Sequence, residues 1–302
     1  MGNKFVTIII PVYKDWARLS LCLTALTNQS YPKELCEILL VNNSPEDDIP
    51  KEYFIPQNCS VIKESKPGSY AARNAALKLA RGEIIGFTDS DCIPDENWIK
   101  NAVDYFDNNN LCSRIAGNVS IFFKNLKPTK AELYDKFYAF NQFRNVSILG
   151  TSVTANLFSY KYVFDKIGLF DDSLMSGGDF RWGIHAHKAG YNIHYVKSVI
   201  VNHPARYSVD ELIKKERRIG GQVVCLKKDG NTMTNLYNHS KALYQFLKDL
   251  LPNFAELKYI NHNGKSLNTS NKIYLLFLRH YLLSIRAYEK FMVQMGRKAK
   301  RV

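Results

Sequence analysis

The sequence predicts an α/β protein: a mostly parallel sheet flanked by helices, followed by a basic helical C-terminal extension. Three observations predict it. Short β-branched runs alternate with helix-period segments through the first hundred residues. Those runs are mainly apolar, as strands buried on both faces are. The last third is helical in pattern and strongly basic. In order, Phe5 to Val12 is a continuous β-branched run stopped at Pro11-Val12-Tyr13, and Trp16 to Thr27 has helical spacing through Leu19, Leu23 and Leu26. Glu37 to Val41 is a second strand, ended by Asn42-Asn43-Ser44-Pro45, and Ser60 to Lys63 a third. Ser69 to Ala80 is an Ala-rich helix stopped by Gly82, and Ile84 to Thr88 is a fourth strand. Right-handed crossovers put the loops Val12 to Asp15, Asn42 to Asp48, Lys66 to Ser69 and Asp89 to Asp95 at one edge. Further on, Ile115 to Phe123, Thr154 to Phe158 and Tyr191 to Val201 read as strands, and Asp179 to Ala189 as a helix. Ser208-Val209-Asp210-Glu211 opens a helix with a capping box, which Gly220-Gly221 is expected to interrupt.

The 302 residues suffice for one or two domains with a large core. A net charge of +13 is unevenly placed: 19 Lys and Arg face 7 Asp and Glu from His203 onward, against 22 and 21 before it. That asymmetry points to an anionic partner or to a solvated helical surface. From Ile273 to Met295, residues Tyr274, Phe277, Leu278, Tyr281, Leu282, Ile285, Tyr288 and Met292 form one stripe, with Lys272, Arg279, Arg286, Lys290 and Arg297 mostly opposite. Such a stripe suits an anionic membrane surface or packing onto the protein. The six cysteines are scattered without a C-x-x-C pair and read as reduced thiols. There is no signal peptide, no myristoylation pattern and no apolar run long enough to span a bilayer, so the expected location is cytoplasmic, with peripheral attachment to the inner face of the cell membrane open.

Asp89-Ser90-Asp91 ends the fourth strand. Two carboxylates at that edge sit where open α/β sheets bind ligands, and can hold a hard cation that in turn holds a diphosphate. A bare D-x-D is also a common solvated turn. Gly68 turns the chain into a helix whose N-terminus favours an anion, which Arg73 can also reach. Asp179, after Gly177-Gly178, reads both as an N-cap and as a carboxylate able to take a proton from a hydroxyl. His203 ends a strand and reads as structural, or as part of a mixed oxygen and nitrogen metal shell with Asp91.

The order of these motifs resembles that of a family 2 glycosyltransferase with the GT-A fold. The matching residues are Ile8-Ile9-Ile10-Pro11-Val12-Tyr13, Leu40-Val41-Asn42-Asn43-Ser44, and Gly68 with Ala72-Arg73-Asn74, Ala80 and Gly82-Glu83. Then come Phe87-Thr88-Asp89-Ser90-Asp91-Cys92 with Pro94 and Trp98, Thr154-Ala155-Asn156, Phe164, Gly168-Leu169-Phe170-Asp171, Gly177-Gly178-Asp179 with Trp182, and Val201-Asn202-His203. The resemblance implies a nucleotide-sugar site at Pro11, Val12, Tyr13, Asp15, Asn42, Asn43, Gly68, Arg73, Asp89 and Ser90. It implies a Mn²⁺ or Mg²⁺ at Asp91, Asp89 and His203, and Asp179 as general base of an inverting transfer. The acceptor side would carry Trp98, Thr154, Asn156, Gly178 and Trp182. The expected acceptor is a saccharide or lipid-linked saccharide for a surface polysaccharide, with no nucleic-acid partner. Two positions depart from the pattern: Asn42 stands where Asp usually ends the second strand, and Gly178 where Glu often precedes the base. The implied domains are 1–205, catalytic, with a nucleotide half 1–98 and an acceptor half 99–205, and 206–302, helical. The rival readings are a nucleotidyltransferase on a similar sheet, which would want a Gly/Arg/Lys-rich N-terminal signature absent here, and a non-catalytic nucleotide- or glycan-binding protein.

Overall fold

A computed structural model describes residues 4–298 except 48, 224–234, 254 and 266. The readings on Asp48 and Cys225 fall outside the described residues. The chain divides into two compact units, 1–122 with 140–204, and 123–139 with 205–302. The sequence by itself marks no boundary at Phe123.

The first unit is built on one eight-stranded sheet among the described residues, in the order β3-β2-β1-β4-β7-β6-β8-β5. Its strands are β1 (Val6–Val12), β2 (Cys36–Asn42), β3 (Cys59–Lys63), β4 (Ile84–Phe87), β5 (Ile93–Pro94), β6 (Arg114–Phe122), β7 (Leu157–Tyr160) and β8 (Ile193–Pro204). The pairs β1–β2, β1–β4, β2–β3 and β6–β8 are parallel; β4–β7, β6–β7 and β5–β8 are antiparallel. The helices are α1 (Trp16–Thr27), α2 (Ser69–Leu77), α3 (Trp98–Asn108), α4 (Lys130–Tyr138), α5 (Gln142–Leu149), α6 (Lys161–Ile167), α7 (Gly178–Lys188), α8 (Val209–Val223), α9 (Asn235–Asp249), α10 (Ala255–Asn263) and α11 (Thr269–Gln294).

The apolar runs of β1 and β2 are explained by burial on both faces. Val6, Ile8, Ile10 and Val12 pack with Leu19, Cys22 and Leu23 of α1 and with Ile99, Val103 and Phe106 of α3. On the other face Ile9 and Phe87 are fully buried, and the Phe87 ring meets Phe164 and Phe170 at centroid distances of 5.6 Å. With no solvated face, neither strand can alternate apolar and polar residues. Beyond β4 the expected strand from Thr154 starts later. Thr154–Asn156 is a 3-10 turn, and pairing begins at Leu157.

That turn carries Asn156 beneath the sheet. Its amide nitrogen donates to the carbonyls of Asn118 and Val199, at 2.8 and 3.0 Å, where β6 and β8 slip register between Gly117 and Asn118. Gly117 is obligatory there, because a Cβ would lie 2.4 Å from the Asn156 amide.

The chain order sets the site. β1 leads outward to β2 and β3, then β4 returns to the opposite side of β1. The carboxyl ends of β1 and β4 therefore flank the crevice where such sheets bind ligands.

The second unit packs Ala131, Tyr134, Leu212, Ile260, Leu275, Leu278 and Leu282 into its own core. Gly220-Gly221 does not interrupt α8, which runs through to Val223. Gly220 instead lets α8 and α11 approach closely: a Cβ there would sit 2.5 Å from the Arg286 carbonyl oxygen. The expected stripe on α11 divides. Leu278 and Leu282 are buried, while Phe277, Tyr281 and Tyr288 are 73%, 52% and 48% exposed. The basic side chains are largely answered locally, with Arg279, Arg286, Lys290 and Arg297 paired to Glu256, Glu216, Asp249 and Glu289. No helix among the described residues is long and apolar enough to cross a membrane.

Candidate active site

The loop after β1 brings Asp15 to the D-x-D turn. Asp15 sits at the N-cap of α1 but does not cap it. Its carboxylate accepts from Ser90 Oγ at 3.1 Å and from Arg18 Nε at 2.8 Å. Arg18 also reaches Asp91, with Nη1 3.4 Å from Oδ2. Arg18 was not among the expected site residues; its local sign is an Arg at the third position of α1, three residues after Asp15. Of the other β1-end residues, Val12 is buried and Tyr13 is 54% exposed at the crevice mouth. Pro11 is half-buried within β1.

The two asparagines after β2 are loop clamps. Asn42 is 1% exposed; its amide donates to the Asp47 carbonyl and accepts from the Ser44 N–H, both at 2.9 Å. Asn43 donates to the carbonyls of Glu64 and Lys66 and accepts from the Gly68 N–H, each at 2.8 Å. The Gly68 amide, expected as an anion donor, is thus taken by Asn43. Gly68 itself has φ of +122°, a conformation that side-chain-bearing residues avoid.

One turn into α2, Arg73 is 3% exposed and its Nη2 donates to Asp89 Oδ1 at 2.5 Å. Its Nε is buried with no partner among the described residues, so the guanidinium retains donor capacity. Asp89 is therefore turned toward Arg73. Among the described residues, Asp91, Cys92 and His203 come close enough to share a cation, with one ligand atom of each within 4.8 Å of the others. His203 Nδ1 lies 2.7 Å from the Pro204 carbonyl oxygen. A carbonyl only accepts, so Nδ1 carries a proton, and Nε2 is the ring nitrogen that faces Asp91, 3.7 Å from its Oδ1. With Nε2 deprotonated, this carboxylate and imidazole fit a divalent cation. Cys92 was not expected here. It is fully buried, and burial holds its thiol well above the usual range, so it stays protonated and a poor ligand for a hard ion.

Asp179 is not the N-cap of α7: Gly177 holds that position, and Asp179 lies buried in the first turn of the helix. Its Oδ1 accepts from the Tyr70 hydroxyl and the Phe180 N–H, both at 2.9 Å, and its Oδ2 accepts from the Thr154 N–H at 3.3 Å. Burial raises its pKa above the ordinary carboxylate value, against the opposing pull of the Tyr70 hydrogen bond and the Arg73 charge. Tyr70, also missed in the sequence, joins the two halves of the site: Arg73 and Tyr70 share α2, one bonding Asp89 and the other Asp179.

Three expected acceptor-side residues lie under the site instead of lining it. Trp98 is fully buried and donates to Asn156 Oδ1 at 2.9 Å. Trp182 is 4% exposed, donates to the Gly168 carbonyl at 2.8 Å and stacks on Phe164 at 4.1 Å. Asn156 is committed to the β6 register slip described above. Aromatic and amide side chains with every polar group paired inside the protein present nothing to an acceptor. Thr154 acts through its backbone N–H, and Gly178 packs against the Tyr70 ring.

The family model for glycosyl transferase family 2 matches residues 7–164. The chain is 36% identical over 225 residues to glycosyltransferase AglE of Haloferax volcanii, covering 72% of this chain and 73% of that one. It is 24% identical over 226 residues to a Methanococcus voltae transferase named for adding a diacetamido-dideoxyglucuronosyl group to dolichyl N-acetylglucosaminyl phosphate, covering 70% of each. Among solved structures it is similar to a Pyrobaculum calidifontis mannosyltransferase in complex with GDP-Man and Mn²⁺, with a TM-score of 0.59, 15% identity, and coverage of 96% of this chain and 88% of that one. With a mixed sheet whose edge gathers an acidic turn, an arginine and a buried carboxylate, the chain belongs to glycosyl transferase family 2, has the GT-A fold, and is a glycosyltransferase.

Proposed function

We propose that this enzyme carries out a metal-dependent, inverting transfer of a sugar from a nucleotide-sugar donor to a hydroxyl of a saccharide or lipid-linked saccharide, in the synthesis of a surface polysaccharide. The observation that carries the reading is the continuous line of contacts from Asp89 through Arg73 and Tyr70 to Asp179. It ties a diphosphate-binding turn to a buried carboxylate through neighbouring turns of one helix.

In this reading Asp91 and His203 hold a Mn²⁺ or Mg²⁺, with Asp89 nearby. A bound divalent cation supplies charge neutralisation to the departing nucleoside diphosphate. Arg73 adds a planar donor to the same phosphates. The loops after β1 and β2 seat the nucleotide, Asn42 and Asn43 by holding their own loop in shape. Asp179 takes the acceptor proton as the hydroxyl attacks the anomeric carbon. Attack from the side opposite the diphosphate inverts the anomeric centre. A raised pKa suits Asp179 to this work, since a stronger base accepts the proton more readily near neutral pH.

The first test is thermal unfolding with a panel of nucleotide sugars, with and without Mn²⁺. The cognate donor at about a hundred times its Kd is expected to stabilise the protein by about 2.7 kcal/mol. Stabilisation should need the metal. No shift with any nucleotide sugar would overturn the donor assignment.

The lipid-linked acceptor is supported by the dolichyl-phosphate substrate in the name of the Methanococcus voltae relative. It is also supported by the exposed aromatic residues Phe277 and Tyr281 on α11, in a region with 19 basic and 7 acidic side chains. Such a surface suits attachment to anionic lipid at the inner face of the membrane. Deleting α11 would remove Leu275 and Leu282 from the core, so point changes are the right probe. Phe277→Ser with Tyr281→Ser is expected to weaken co-sedimentation with phosphatidylglycerol vesicles roughly tenfold, by loss of buried apolar area. Unchanged co-sedimentation would remove the membrane from the reading.

A further inference from the structure

Tyr70 and Gly178 fit each other in a way that bears on the base. Tyr70 is 5% exposed, its ring lies against Phe170 at 5.7 Å, and the Arg73 guanidinium stands 5.8 Å from its centroid. A Cβ at residue 178 would meet three atoms of that ring at 2.8–3.0 Å. Gly178 lies inside a helix with no left-handed φ to demand glycine, so the room it leaves for Tyr70 is its physical justification. The ring then delivers its hydroxyl 2.9 Å from Asp179 Oδ1. That oxygen also accepts from the Phe180 N–H, so both its lone pairs are used. Among the described residues Oδ2 accepts one hydrogen bond, at 3.3 Å from the Thr154 N–H, and keeps a lone pair to give. Among the described residues, the charged or titratable groups that bear on Asp179 are Tyr70 and Arg73 of α2, and the segment 151–154 presents Thr151 and Thr154.

We propose that Tyr70 is a positioning residue for Asp179: its hydroxyl holds Oδ1, so that Oδ2 is presented to the acceptor hydroxyl, and Gly178 is the space that permits this. The assignment rests on Asp179 acting as the base. It also gives the base and the phosphate-side arginine a common mount, because Tyr70 and Arg73 stand one turn apart on α2.

Tyr70→Phe tests it, since the ring and its packing remain and only the hydroxyl is lost. The expected result is a fall in kcat of roughly ten- to a hundredfold, the loss of one hydrogen bond to a charged group. Donor KM should stay nearly constant. The acid limb of the kcat–pH profile should move to higher pH, because a donor that favours the ionised carboxylate is gone. A merely structural Tyr70 would lower Tm and leave that limb in place. Gly178→Ala should impair the Tyr70 enzyme severely and add little in a Tyr70→Ala background, a coupling expected of groups in direct contact. Asp179→Asn separates the two assignments. If it turns over normally, the base reading itself fails. If it is inactive while Tyr70→Phe keeps both kcat and the acid limb, the Tyr70 assignment alone is overturned.

Discussion

Replacing Asp179 with Asn is expected to lower kcat by roughly 10²- to 10⁴-fold, the range supplied by a positioned general base, while donor binding persists. The nucleotide side of the site, Arg73 with Asp89 and Asp91 with His203, does not depend on the lost charge. Calorimetry with the nucleotide sugar and Mn²⁺ should therefore give a Kd close to that of the unaltered enzyme. Turnover within a few-fold of normal would remove Asp179 from the chemistry. The unaltered enzyme should show the same group in its pH profile. Burial raises the Asp179 pKa, and only the ionised form can accept a proton, so activity is present above that raised value and lost as pH falls through it. The linkage to stability runs the other way. A carboxyl that binds its proton more tightly folded than unfolded favours folding at low pH, and that contribution is lost as pH rises from the ordinary carboxylate value through the raised one. On the proposed reading the site carries its base in a form that burial disfavours, a stability the protein forgoes for reactivity.

Replacing Asp91 with Ala is expected to abolish metal-dependent donor binding, a loss of at least about a hundredfold in affinity with Mn²⁺ present, since even partners behind a metal ligand are worth ten- to a hundredfold. Among the described residues that gather with Asp91, the substitution leaves the His203 imidazole and a buried, protonated thiol, and a hard cation needs carboxylate oxygen. Any metal-independent binding should be unchanged, because Arg73 bonds Asp89 and not Asp91. Calorimetry in Mn²⁺ and in chelator decides it. Equal donor affinity in Mn²⁺ before and after the substitution would move the metal elsewhere.

What could be read along the chain was whatever depends on near neighbours. The Ile8-Ile9-Ile10 run, the Ala-rich helix after Gly68 and the acidic turn after Phe87 are each specified within a few residues, and the crossover rule then brings their ends to one edge. Asp179 was legible for the same reason, since it stands at a helix start announced by two glycines. Side-chain roles were less so. Trp98, Asn156 and Trp182 stand within the matching motifs but face inward, and Asn42 spends its amide on its own loop. Arg18 and Tyr70 were missed because the partners that give them meaning, Asp91 and Asp179, lie 73 and 109 residues away.

The sequence by itself determined the alternation of strands and helices, the acidic turn, the basic C-terminal region and the family. Tertiary structure alone decided that Gly220 closes α8 onto α11, that residues 123–139 belong with the C-terminal unit, that the α11 stripe is half core and half surface, and that Gly178 makes room for Tyr70. The physical reason is range. Backbone preference and hydrophobic period act over a few residues and leave their mark in the string, whereas close approach and hydrogen-bond pairing depend on which distant segments the fold brings together.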